Sequence, residues 1–192
     1  MTGGMRLRIV ALQVGLIAVL GAGGLVALGM GSFVHGMIRD QLSAQQIFFP
    51  AAGSASLPAS EYPDLQQYGG QQVDDGVKAQ AYANGFIGRH LEKVAGGQTY
   101  SQVSTKAAAA PTDTALAGQK DTLFKGETLR GLLLNTYGWW TIGTYSTYAG
   151  YGLALAAAIV LLAMLFEIGL AIRSRGTTAV APIASTRLAH QG

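Results

Sequence analysis

A chain of 192 residues that is 49% hydrophobic and 12% charged carries about half the charge of an ordinary soluble domain. Its net charge of +3 comes from arginines at the two ends and not from a concentrated basic face, which excludes a nucleic-acid-binding surface. The absence of cysteine excludes disulfide frameworks, thiolate metal sites and cysteine nucleophiles, while leaving the compartment open.

The chain opens with MTGGMRLR (1–8), whose Arg6 and Arg8 precede the uncharged run IVALQVGLIAVLGAGGLVALGMGSFV over 9–34. A signal peptide shares the positive start, but its apolar core is shorter, about 7 to 15 residues. This run has the length of roughly 20 residues that a bilayer requires. The expectation is a retained transmembrane helix, with cleavage beyond Gly21 as the alternative. Gly23, Ala27 and Gly31 recur at four-residue spacing within it, which suits close helix packing or simply reflects the abundance of glycine in membrane helices.

A middle region (35–138) follows, with eight Lys/Arg against nine Asp/Glu. HGMIRDQLSAQQIFF can prolong the first helix, until Pro50, Pro58 and Pro63 impose loop. Ile47, Phe48 and Phe49 form an apolar cluster that needs shelter. Val77, Ala81, Asn84, Ile87 or Gly88, Leu91 and Val94 fall at three- and four-residue steps and predict one helical face. Asp74 and Asp75 suit the start of this helix, and Gly96-Gly97 its stop. QTYSQVS reads as a connector whose Tyr100 and Val103 fold back, and STKAAAAPTDTALAG as flexible up to a cap at Pro111-Thr112-Asp113. A third helix then places Leu116, Leu123 or Phe124, Glu127, Arg130 and Leu134 on neighbouring turns and is expected to run on towards the aromatic belt, with Gly138 as a candidate break.

From Gly131 to Phe166 thirty-six residues pass without Lys, Arg, Asp or Glu. The run is graded. Tyr137, Trp139, Trp140, Tyr145 and Tyr148 form an aromatic belt, centred on 139–147, of the kind that favours the headgroup region. An aliphatic stretch over 148–172 then predicts a second transmembrane helix, long enough to cross with tilt. Arginines precede the first span and follow the second, so the positive-inside rule expects a plasma-membrane protein with both termini cytoplasmic and the middle outside. The polar tail, 173–192, is expected to be disordered. The fold class predicted is thus an all-α membrane protein, two transmembrane helices flanking a loop-rich helical extracytoplasmic domain.

The residues AYANGFIGRHLEKVAGGQTYSQVS and TLFKGETLRGLLLNTYGWW resemble a family of small actinobacterial membrane proteins with two spans and undefined function, over roughly 73–172. Members of that family often carry the label aromatic ring-opening dioxygenase. The resemblance implies location and topology. The label implies an iron site of two histidines and a carboxylate, for which the sequence offers only His35, His90 and His190, the last expected on the other side of the membrane.

His90 lies in a patterned helix, but its i,i+4 partners Phe86 and Val94 offer no ligand, and a surface or packing role is the simpler reading. Glu167 stands near the end of the second span. It is either an intramembrane functional acid or, as favoured here, a partner of Arg6 or Arg8 in an ion pair at the interface. No phosphate-loop or nucleophile-elbow context surrounds any Gly or Ser motif. The expectation is a non-enzymatic protein without catalytic, metal or cofactor residues, an accessory or structural subunit of a larger cell-envelope complex. Its partners are the lipid bilayer and a membrane protein or a second copy, with no nucleic acid. The alternatives are a sensory or regulatory membrane protein, or an enzyme at the membrane surface.

Overall fold

The computed structural model describes residues 3–177, with side chains over 4–173. Expectations concerning the tail beyond residue 177, including His190, lie outside the described residues. Among those residues the chain is helical, with a single isolated antiparallel bridge between Phe48 and Gln72 and no named strand. The helices are α1 (Gly3–Gln45), α2 (Gly76–Gln80), α3 (Arg89–Ala95), α4 (Tyr100–Ala109) and α5 (Thr114–Thr177). A π-helical segment, Ala81–Gly88, joins α2 to α3, and a 3-10 helix, Pro63–Tyr68, lies in the preceding loop. Two helical stretches, Gly4–Gln45 and Thr114–Arg173, are long and apolar enough to cross a membrane. The residues divide into two compact units, one holding those up to Val26 and from Gly150 onward, the other Ala27–Ala149.

In the first unit, stretches of α1 and α5 approach closely at glycine. A Cβ on Gly24 would lie 3.2 Å from the Gly150 carbonyl oxygen, and one on Gly23 would lie 3.5 Å from Leu153 Cδ1. Most large apolar side chains of this unit, among them Leu7, Leu12, Val19, Leu155, Leu162 and Phe166, are exposed among the described residues.

The second unit has a core of its own. The last turns of α1 contribute Val34, Ile38 and Leu42 at i,i+4 spacing, so this helix does extend past its uncharged run as HGMIRDQLSAQ allows. It stops at Gln46, which takes a left-handed φ of 51°. The proline-containing loop that follows is stitched down. Phe49 N donates to Gln71 O (2.9 Å), Val73 N to Ile47 O (2.8 Å) and Gln72 Nε2 to Ser43 O (2.8 Å). Gln66 works as a strut: its amide donates to the carbonyls of Leu57 and Tyr62 and accepts from Gly53 N. Phe49, Leu57, Tyr62 and Leu65 are thereby driven into the core, where each fully buried side chain contributes roughly 1.5–3 kcal/mol. Phe49 finds the shelter its apolar cluster needs, whereas Phe48 remains exposed.

The middle helix starts where the acidic pair indicates, with Asp75 Oδ1 accepting from Lys78 N at 2.8 Å, and ends at Gly96 in the left-handed conformation. Its buried face matches the expected one at Ile87 and Leu91 and departs from it elsewhere. Ala79, Ala83, Ile87, Leu91 and Ala95 are buried, while Val77 is 48% exposed. The π-segment explains this spacing. Along a pure α-helix of 3.6 residues per turn, an i,i+4 series drifts off one face, and a turn bonded i to i+5 is wider and rotates the series back. The QTYSQVS connector and the alanine run after it, read as linker and flexible chain, are instead the ten-residue α4. Thr99 and Gln102 form a reciprocal capping box that starts it, and it buries Val103 and Ala107. Asp113 caps α5 by accepting from Ala115 N and Leu116 N. That helix buries Leu123 and Leu133 and turns Phe124 outward. It runs on through the aromatic belt as expected, with no break at the candidate position Gly138.

Candidate functional site

An open cavity of about 550 Å³ lies in the second unit among the π-segment, α3, the start of α4 and the N-terminal part of α5. Its polar lining is held in place from both sides. Arg130 on α5 donates through Nε and Nη2 to Asn84 Oδ1 (3.3 and 3.1 Å) and through Nη1 to Glu127 Oε2 (3.4 Å). Arg89 meets Asp64 in a two-pronged pair, 2.8 Å on each prong, and also donates to Glu61 O. The Arg89 hydrogen bond holds the Asp64 carboxyl below its ordinary value, against the opposing effect of burial. Lys93 pairs with Glu61. Arg89 and Lys93 both lie over the ring of buried Tyr62, at 5.6 and 5.4 Å, within the distance at which a cation is attracted to an aromatic face. Two charge pairs thus clamp the loop onto α3 around one aromatic ring.

A second cluster joins α1 to α5 inside the same unit. His35 stacks on Trp140 with ring centroids 4.0 Å apart, and its Nε2 lies 3.1 Å from both Trp140 O and Thr144 Oγ1. The carbonyl only accepts, so Nε2 carries the proton in that bond. Thr144 in turn donates to the same carbonyl. Close packing depends on three glycines. A Cβ on Gly76 would overlap the Trp140 side chain, one on Gly31 would collide with Thr147 and come within 2.7 Å of Gly143 O, and one on Gly143 would sit 2.9 Å from His35 Cδ2.

These contacts locate the predicted site residues. Gly31 is a close-packing position, but its partner is α5 of the same chain, and in the first unit the tightest approach is made by Gly24 rather than Gly23. Ala27 is half-buried. Of the belt, Trp139, Tyr145 and Tyr148 are exposed, and Tyr137 is half-buried. Trp140 departs from the expectation: it packs inward against His35 and Gly76 because a stacked imidazole and a missing side chain make room for it. Arg6 and Glu167 line one cavity of about 460 Å³, but no N–O distance within 4.0 Å joins Glu167 to Arg6, and Arg8 does not line the cavity. Gln13, further along α1, has a buried Oε1 without a hydrogen-bond partner. His90 is exposed, and no hydrogen bond or ion pair engages it. Among the described residues no group of three His, Cys, Asp or Glu is placed to hold a metal ion.

Sequence reasoning passed over His35, whose partners lie 105 and 109 positions away, and Tyr62, whose role depends on two cations from another element. The Thr99–Gln102 box had a legible signal in its spacing. No protein-family model, no curated protein and no solved structure matches this chain. The resemblance to the two-span family therefore rests on the quoted residues alone.

Proposed function

We propose that this chain is a two-span integral membrane protein, with both termini cytoplasmic and the Ala27–Ala149 unit largely outside, that serves as an accessory or structural subunit of a larger cell-envelope assembly. One observation carries the reading: the most apolar windows of α1 and α5 are only 6% and 0% buried within the protein. A core helix of a soluble domain hides its apolar side chains, and a surface of this size left bare in water would aggregate. Lipid is the solvent that suits it, and the arginines before the first span and after the second support the orientation proposed. Room for a partner helix remains. Gly15 and Gly21 in the first unit, and Gly29 and Gly36 in the second, face open space where another backbone can approach. The family resemblance in AYANGFIGRHLEKVAGGQTYSQVS fits this role and supplies no chemistry.

Purification from native membranes in a mild detergent tests the proposal. A larger assembly containing the chain at fixed stoichiometry is the expected result. If the chain runs alone under conditions that keep other envelope complexes whole, the subunit role fails. A sensory role is the second reading, favoured by the 550 Å³ cavity and its Arg130–Asn84–Glu127 lining. Under that reading Arg130→Ala alters a cellular output while the protein stays in the membrane.

A further inference from the structure

Arg6 and Glu167 come from different helices of the first unit and line the same cavity, whose remaining walls are Ile9, Val10, Ile168, Leu170 and Ala171. Neither charge has a hydrogen bond or ion pair anywhere in the described protein. At the edge of an apolar span a charge is satisfied by an opposite charge, by water or by a lipid headgroup. Here both stay apart across a space large enough to admit a third group. What satisfies them together carries an anion for Arg6, a cation for Glu167 and hydrocarbon for the aliphatic walls.

We infer that this cavity binds the headgroup of a zwitterionic phospholipid bearing a primary ammonium, with its phosphate on Arg6, its ammonium on Glu167 and an acyl chain along Ile9, Val10, Ile168 and Leu170. Arginine suits phosphate through its fork of donors, and a primary ammonium has protons to donate to a carboxylate. A choline head lacks those protons and is recognised on aromatic faces, and no aromatic residue lines the cavity. A purely anionic headgroup would meet repulsion from Glu167. The inference rests on the membrane reading above, which sets Arg6 and Glu167 at headgroup level of the cytoplasmic leaflet.

The full-length protein is reconstituted into vesicles containing phosphatidylethanolamine, phosphatidylcholine and phosphatidylglycerol in equal amounts. It is then extracted in mild detergent, and retained lipid is read by native mass spectrometry. Phosphatidylethanolamine is expected to stay bound, and the other two to be lost. Arg6→Gln and Glu167→Gln each remove one charge-assisted contact and are expected to lower retention roughly tenfold. Glu167→Gln is also expected to raise retention of phosphatidylglycerol, an exchange of preference that loss of folding does not mimic. Equal retention of the three lipids, preference for phosphatidylglycerol in the unaltered protein, or no effect of Glu167→Gln overturns the site. Soluble glycerophosphoethanolamine, which has the headgroup without the chains, is expected to compete only weakly. Full competition by it would overturn the lipid as ligand. A carbonate wash of the starting membranes separates the two failures, since protein that stays in the pellet but retains no phosphatidylethanolamine sinks the lipid site alone.

Discussion

At the scale of single residues, the second unit depends on side chains that are absent. Gly76 and Gly31 each stand where a methyl group would overlap a neighbour, Trp140 for the first and Thr147 with the Gly143 carbonyl for the second. A Thr rotamer can change, but a carbonyl belonging to a helix cannot move aside alone. Gly76→Ala and Gly31→Ala are therefore expected to destabilise the protein by about 1–3 kcal/mol through overpacking. Gly36→Ala, on the same helix as Gly31 but facing open space, is expected to change little. Thermal unfolding of the detergent-solubilised protein compares the three, and equal midpoints would contradict the packing described. The sequence makes Gly31 visible as one of several closely spaced small residues. It conceals which glycine is in contact, because in an apolar helix every face looks alike and only the partner's shape selects one.

At the scale of elements, starts and stops written in local chemistry were legible, and those set by distant packing were not. Asp75, Gly96 and Asp113 mark helix ends in the structure as their residue types indicate. The buried face of the middle helix was placed rightly at Ile87 and Leu91 and wrongly at Val77 and Asn84, because the π-segment changes the period and no local residue pattern announces such a turn. Helix α4 was missed although Thr99 and Gln102 have the spacing of a capping box, since the alanines and lysine after them lack an apolar stripe. Its one fully buried anchor is Val103. A helix this short is marginal on its own, so its cap matters. Thr99→Ala is expected to cost about 1 kcal/mol, while Thr99→Ser keeps the hydroxyl and most of the stability. Amide exchange along α4 measures this, with protection falling in the first variant and holding in the second.

At the scale of the whole molecule, the two long apolar helices were the most legible feature, because uncharged length needs no partner to be read. The clamp around Tyr62 was illegible for the opposite reason: Glu61 and Asp64 meet Lys93 and Arg89 across a proline loop, and exposed charges give no sign of whom they face. The proposed orientation has a direct test, since the chain has no cysteine of its own. Single cysteines at Ser60 or Thr105, both exposed, are expected to react with a membrane-impermeant maleimide on intact cells. A cysteine replacing Thr2 is expected to react only after lysis. The reverse pattern would invert the topology, and labelling of both on intact cells would break the two-span arrangement.

The stacking of His35 on Trp140 makes the protein its own optical gauge. It has two tryptophans, adjacent in sequence but unlike in surroundings: the indole of Trp139 is 52% exposed, whereas that of Trp140 lies against an imidazole. Replacing one tryptophan at a time separates the two signals: emission from Trp140 alone follows one contact between α1 and α5, while a lipid-borne quencher follows Trp139.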